Sequence, residues 1–272
     1  MPLKDKYINP FTDYGFKKLF GSEPNKDILV DFLNQVLPEK HHLTDLTYAK
    51  SEQLGLSGDA RNAIFDLYCI GKNGEHFIVE MQKAKQNYFK DRSVFYTSFP
   101  IQQQAQKGDW NFKLDAVYLI AILDFTFTED AHEKQVRHEV QLKDQHCRVF
   151  YEKLTYIYLE MPHFNKTEHE LATNFDKWMY VLGQLPNLQE RPRILQQRVF
   201  TKLFEAAEIA KFNMEERSKY EASLKKYRDL KNVIDTSFEE GKAEGFEEGK
   251  AEGFEEGKAI GVEEGEVKRS LE

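Results

Sequence analysis

The hydrophobic period along the chain alternates between that of a helix and that of a strand. In residues 24–37, PNKDILVDFLNQVL, the apolar positions Ile28, Leu29, Phe32, Leu33 and Val36 fall on one helical face, and Pro38 ends the helix. Residues 43–53 mix polar and apolar positions and predict a first strand. Ile64–Ile70 and Phe77–Met81 are apolar and β-prone, with turn chemistry in Gly71-Lys72-Asn73-Gly74-Glu75 between them, so 60–84 reads as a hairpin. From 87 to 108 the spacing of Phe89, Ser93, Tyr96, Phe99 and Gln103 predicts a helix, kinked or split by Pro100 and stopped at Gly108. The unbroken apolar run at 113–125, KLDAVYLIAILDF, predicts a buried central strand. HEVQL and LTYIYLEM, within 136–161, predict a second hairpin. Residues 167–184 form a helix with Leu171, Phe175, Trp178 and Leu182 at core spacing, and 193–210 and 215–234 form two more. A helical crossover ahead of the 113–125 strand predicts a mixed sheet.

The two ends read differently. YINPFTDYGFKKLFG, 7–21, carries aromatic residues at 11, 14, 16 and 20, which mark an anchor buried in the fold; Thr12 or Asp13 caps a short helix. Asp13 with Lys17 and Lys18 stands near a phosphate or forms a solvated face. From 238 the sequence repeats: FEEGKAEG at 238–245 and 246–253, then FEEGKAIG at 254–261, with glycine every four residues from Gly241 to Gly265. Seven glycines cost an isolated helix about 6–7 kcal/mol relative to alanine. The tail therefore either packs its glycine stripe against another helix, with a right-handed crossing because its period exceeds 3.6, or remains an acidic disordered appendage.

Length and charge narrow the picture. The chain has 272 residues, enough for one large domain or two small ones, and its 40% hydrophobic and 13% aromatic content suits a packed core. No apolar run approaches the ~18 residues of a membrane span, and MPLKDKYINPF lacks a signal core. Cys69 and Cys147, without metal-ligand spacing, suggest a reducing cytoplasm. The net charge of −8 argues against a nucleic-acid partner until it is located. Residues 235–272 hold 13 acids and 5 bases, leaving 33 of each in the body. A neutral body can carry a basic surface, and Lys83, Lys85, Lys90 and Arg92 cluster just after the hairpin.

The candidate chemistry sits on that hairpin. A loop centred on Asn73, with Gly74 as a left-handed bulge residue, pairs Asp66 with Glu80 and puts Gln82 on the same face; a two-residue Asn73-Gly74 turn pairs Asp66 with Met81 and sends Glu80 to the other face. Opposed carboxylates on apolar strands repel and are costly to bury unless a cation satisfies them, and a divalent metal takes oxygen ligands. In the plainer alternative both acids lie on an edge or solvent face. The phosphate-loop motif GxxxxGK[ST], GxGxxG after a strand, the GxSxG elbow and a zinc pattern among the eight histidines are all absent.

Asp66 followed by Glu80-Met81-Gln82-Lys83, in this element order, resembles the PD-(D/E)XK nuclease superfamily. NPFTDYGFKKLFG, FDLYC, IVEMQKA, DRSVFYTSFPIQQQAQKGD, YLIAILDF, YLEMPHFNK and YRDLKNVIDTSFEEG resemble its bacterial branch of recombination-promoting nucleases and transposases, over nearly the whole chain. The resemblance implies an α/β fold: a restriction-endonuclease-like core with a central mixed sheet flanked by helices over 1–165, a helical region over 166–235, and the acidic glycine-repeat tail over 236–272. It implies Mg2+-dependent hydrolysis of DNA phosphodiester bonds, with Mn2+ or Ca2+ as alternatives, serving recombination or mobile-element exchange. By this resemblance Asp66, Glu80 and the Met81 carbonyl hold the metal, and Asp66, Glu80 and Gln82 are catalytic. Gln82 is a departure, since many superfamily members have lysine there; an amide supplies no charge and no base, but orients a water or a phosphate oxygen. Candidate substrate contacts are Arg92, Tyr96 and Gln104 on the following helix, Asp13 and Lys17 near the start, and Lys83, which strand alternation turns to the opposite face from Gln82. A competing reading is a non-catalytic DNA- or protein-binding module of nuclease fold. In both readings the chain self-associates through 238–265. Convergence of Asp66, Glu80 and Gln82 in a cleft favours the enzyme, and a Glu80 on the far face favours the binding module.

Overall fold

A computed structural model describes residues 5–38, 41–53, 63–105, 110–127 and 134–270. Its elements run α1 (Asp13–Phe20), α2 (Lys26–Val36), β1 (Leu46–Tyr48), β2 (Glu52–Gln53), β3 (Ala63–Ile64), β4 (Leu67–Gly71), β5 (His76–Gln82), α3 (Phe89–Gln103), β6 (Val117–Leu123), β7 (Arg137–Lys143), β8 (Val149–Glu160), α4 (Asn174–Gln184), α5 (Arg198–Ala207) and α6 (Met214–Ser270). Six strands form one sheet in the order β1-β4-β5-β6-β8-β7, and β2 pairs with β3 alone. β5, β6 and β8 are parallel, and the remaining pairs are antiparallel. All seven residues of β6 are buried, as a continuous apolar strand at the centre of a sheet requires. The expected 43–53 strand is two short pieces. α3 passes through Pro100 as one helix, and its expected stop at Gly108 lies outside the described residues.

The sheet is covered on both faces. Phe77, Val79, Met81, Ile120, Ile122, Ile157 and Leu159 pack with α1, α2, α4 and α5 in one core. That core centres on aromatic residues: Trp178 lies 5.4 Å from Phe32 and 5.1 Å from Phe200 between ring centroids, and donates its indole N–H to Asp31, 2.8 Å. Ile78, Leu119, Ala121, Leu123, Tyr156 and Tyr158 form the other face with Phe89 and Phe99 of α3. At the N-terminus, Thr12 caps α1 by accepting the Gly15 N–H, 3.0 Å, and the Tyr220 hydroxyl accepts the Asn9 N–H, 2.9 Å. The first turns of α6 thereby join the core, with Tyr220 and Leu224 buried.

The chain divides into two compact units, Met1–Tyr227 and Arg228–Glu272. The described residues of the second are helical throughout. Phe238, Phe246 and Phe254 are exposed on it, and open space surrounds the position a Cβ would take at Gly241, Gly245, Gly249, Gly253 and Gly257. No helix among the described residues is long and apolar enough to cross a membrane.

Hairpin register decides which face receives Glu80. Leu67 faces Val79, Tyr68 faces Ile78 and Cys69 faces Phe77. This is the register of the odd-numbered loop: Gly71 N–H bonds the Glu75 carbonyl, 2.7 Å, and Gly74 takes φ +91°. A Cβ on Gly74 would also meet the Asp115 carboxylate at 2.8 Å. Gly74→Ala should therefore cost about 1–3 kcal/mol, read as a drop of several degrees in a thermal melt. An unchanged Tm would show that the loop conformation does not depend on this glycine.

Candidate active site

A bulge brings the two acids together. Between the pairs Tyr48–Cys69 and Glu52–Ile64 the first strand advances four residues and the second five, so one extra residue is inserted near Asp66. Side-chain alternation breaks at the same place: Phe65 and Tyr68, an odd number apart, both pack beneath α3. The bulge ends the β4 ladder at Leu67 and frees Asp66 to bond across to β5. Asp66 Oδ2 accepts the Met81 N–H at 2.8 Å, and Glu80 Oε1 accepts the Asp66 N–H at 3.1 Å. Glu80 and Gln82 share the α3 face with Ile78. Gln82 Nε2 lies 3.4 Å from Glu80 Oε2, and the Gln82 carbonyl accepts the Asp124 N–H at 2.9 Å.

This last bond also orients Met81. In a parallel ladder alternate residues turn both backbone groups to the same neighbour. Gln82 turns its groups to β6, so Met81 turns its N–H and carbonyl the other way, toward the gap that the bulge opens. The site thus gathers two carboxylates, a backbone carbonyl and a side-chain amide. It is an all-oxygen donor set of the kind hard divalent cations take, and the two acids in it lack a buried cationic partner within salt-bridge distance among the described residues. Among the described residues no group of three or more histidine, cysteine, aspartate or glutamate side chains has metal-ligand spacing.

Electrostatics follow from enclosure. Glu80 is only 3% exposed. Burial pushes its carboxyl well above the usual range, and the Asp66 charge adds to this; the Asp66 N–H, Arg92 and Gln82 oppose it. Burial likewise raises Asp66, and Asp13 adds to this, against the Met81 N–H, Lys17 and Lys83.

Two groups of side chains flank the pair. Lys83 is turned away from Gln82 and pairs with Asp13 of α1, 2.6 Å, with Lys17 one helical turn further along α1. At the α3 side Arg92 bonds Gln86 and stacks over Phe89, 4.9 Å, and Tyr96, 5.5 Å, while Tyr96 meets Phe65 at 5.2 Å. Gln104 is not part of this gathering. It bonds the backbone of Asp115, ahead of β6, at the opposite end of α3. The sequence reading passed over Gln86 and Tyr88, in the loop ahead of α3. It also passed over Glu160, wholly buried at the same end of the sheet, with His163 Nε2 at 3.1 Å and His138 Nε2 at 3.7 Å. A glutamate ending the apolar run LTYIYLE was the available signal for the last.

The raised carboxyls carry a stability consequence in the metal-free chain. A folded-state acid raised above its unfolded value binds more protons folded than unfolded, so its stability contribution is full below about pH 4 and is lost as pH rises through the folded value. In chelator, Tm should fall between mildly acidic and mildly alkaline pH. The double variant Asp66→Asn, Glu80→Gln should flatten that fall and melt higher than wild type at neutral pH. Parallel pH profiles for the two proteins would show that the pair is not penalised by burial.

Searches of curated proteins and of solved structures each return no significant match. A family model described as PD-(D/E)XK nuclease family transposase matches residues 10–237, a span that includes both acids, the whole sheet and α1 to α5. The chain belongs to the PD-(D/E)XK nuclease family of transposases.

Proposed function

We propose that this chain is a metal-dependent DNA endonuclease with a restriction-endonuclease-like core, acting in recombination or mobile-element exchange. The observation that carries the reading is a buried Glu80 that accepts the N–H of the half-buried Asp66, whose own carboxylate accepts the Met81 N–H, in a chain of this family. Asp66, Glu80 and the Met81 carbonyl would hold Mg2+, with Mn2+ or Ca2+ as substitutes. Bound there, the cation supplies charge stabilisation of the phosphate and an acidified water. Gln82 orients the water or a phosphate oxygen through its amide. Arg92 donates to phosphate from the α3 side, and Lys17 and Lys83 do so from the α1 side, with Asp13 orienting Lys83. Residues 1–165 carry the chemistry, 166–235 buttress the sheet and 236–272 assemble the chain with copies of itself.

Plasmid nicking tests this reading. The wild type should nick with Mg2+ and fail in EDTA, and Asp66→Ala or Glu80→Ala should each lose on the order of a hundredfold or more while staying folded. Full activity in both variants would remove the site assignment. Gln82→Lys should keep or raise activity; a dead Gln82→Lys beside an active Gln82→Ala would contradict the role given to the amide. DNA binding without nicking under any divalent metal would favour the non-catalytic binding module.

The exposed Phe238, Phe246 and Phe254 and the open glycine positions favour self-association through 238–265. The acidic charge of this segment makes association weak and helped by salt. By light scattering the full chain should be a dimer or larger, and a chain ending at Asp235 should shift toward monomer with its fold intact. Equal oligomeric states would leave the tail as an acidic appendage.

A further inference from the structure

The loop between β5 and α3 holds a residue that neither the fold nor the proposed metal site accounts for. Tyr88 adopts φ 62°, ψ 28°, a left-handed conformation that bulky residues avoid, and the residue is 81% exposed. It stands between two clefts. One, of about 710 Å3, is lined by Ile64, Arg92, Phe95 and Tyr96. The other, of about 380 Å3, is lined by Lys85, Phe89, Lys90, Phe125 and Phe127. Gln86, Asn87, Tyr88 and Asp91 border both. Ile64 and Phe95 leave apolar surface open in the larger cleft. Arg92 has its Nε and Nη2 buried with no hydrogen-bond partner among the described residues, and its charge acts on Glu80.

We propose that the larger cleft receives an unpaired nucleobase, with Tyr88 as the ring that stacks against it, so that the site acts on single-stranded, bubbled or branched DNA in preference to paired duplex. This rests on the nuclease reading for its substrate class. The chemistry of the walls selects the occupant. Aromatic and apolar side chains beside a guanidinium make a platform that stacks any base, and a volume of this size has room for a base together with its sugar. The Arg92 guanidinium in the cleft wall favours acceptor oxygens, which base carbonyls provide. Asp91 argues for a base as the occupant: its carboxylate repels phosphate but accepts from base amino groups, and Gln86 and Asn87 offer amides to a base edge. In paired duplex the base faces are stacked on one another and unavailable. A protruding ring therefore gains its contact only where pairing is already broken or easily opened.

The test reads binding in EDTA, where no turnover occurs. By fluorescence anisotropy, the full chain should bind an oligonucleotide duplex with a central unpaired bubble about tenfold or more tighter than the fully paired duplex of the same length. Tyr88→Gly, which removes the ring and relieves the left-handed backbone, should bring that ratio to within about twofold of one, and Tyr88→Phe should restore it. With 2-aminopurine in the bubble, emission should be quenched by the wild type and by Tyr88→Phe but not by Tyr88→Gly. No bubble preference in the wild type, or a preference that survives in Tyr88→Gly, overturns the inference. Absence of nicking on every substrate would overturn the nuclease reading alone, because the stacking ratio and the 2-aminopurine signal do not depend on turnover.

Discussion

Two acids are held together, largely out of water, by one exchange of hydrogen bonds: Asp66 takes the Met81 N–H, and Glu80 takes the Asp66 N–H. The exchange depends on the bulge, because a regular ladder would have used the Met81 and Asp66 backbone groups to pair the strands. It also sets a conflict. Two like charges in an enclosed site each make the other harder to ionise, so the arrangement weakens the fold at neutral pH unless a cation enters. The aromatic core around Trp178 and the fully buried β6, which pairs directly with β5, offset this local cost. A destabilised site on a well-packed scaffold is the usual compromise where activity needs groups that the fold does not.

Topology explains why the surrounding groups collect there. β5, β6 and β8 are parallel, and their C-terminal ends bring Gln82, Leu123 and Glu160 into line. Open α/β sheets place ligands at the carboxyl ends of their strands, where chains leave for the covering helices. Here β5 leaves through the Tyr88 loop into α3, so Arg92 is delivered to one face of the sheet, while α1 delivers Asp13 and Lys17 to the other. The acid pair lies between a guanidinium on one side and an ammonium pairing on the other.

Much of this was legible in the sequence, for local reasons. Asn73-Gly74 between two apolar runs left two registers open. Each put Glu80 on a definite face, so the glycine at φ +91° decided a question already framed. The run VYLIAIL announced a strand buried on both sides. What the sequence did not disclose depends on distant partners. The bulge at Asp66 reflects pairing with the β1–β2 segment, whose mixed residues gave no period to read. Lys83 meets Asp13 across 70 residues of sequence. Gln104 shares the helical spacing of Arg92 but lies at the other end of α3, because spacing fixes a face and not a distance along it. Tyr88 carries no spacing signal in the sequence; its backbone conformation and exposure distinguish it.

The central claim is that Asp66 and Glu80 together form one divalent-cation site. Titration calorimetry with Mn2+ measures this without any need for turnover or DNA. The account predicts a saturable site in the wild type that is absent from the Asp66→Asn, Glu80→Gln double variant, while that variant stays folded. Equal Mn2+ binding by the two proteins would place the cation elsewhere and contradict the account.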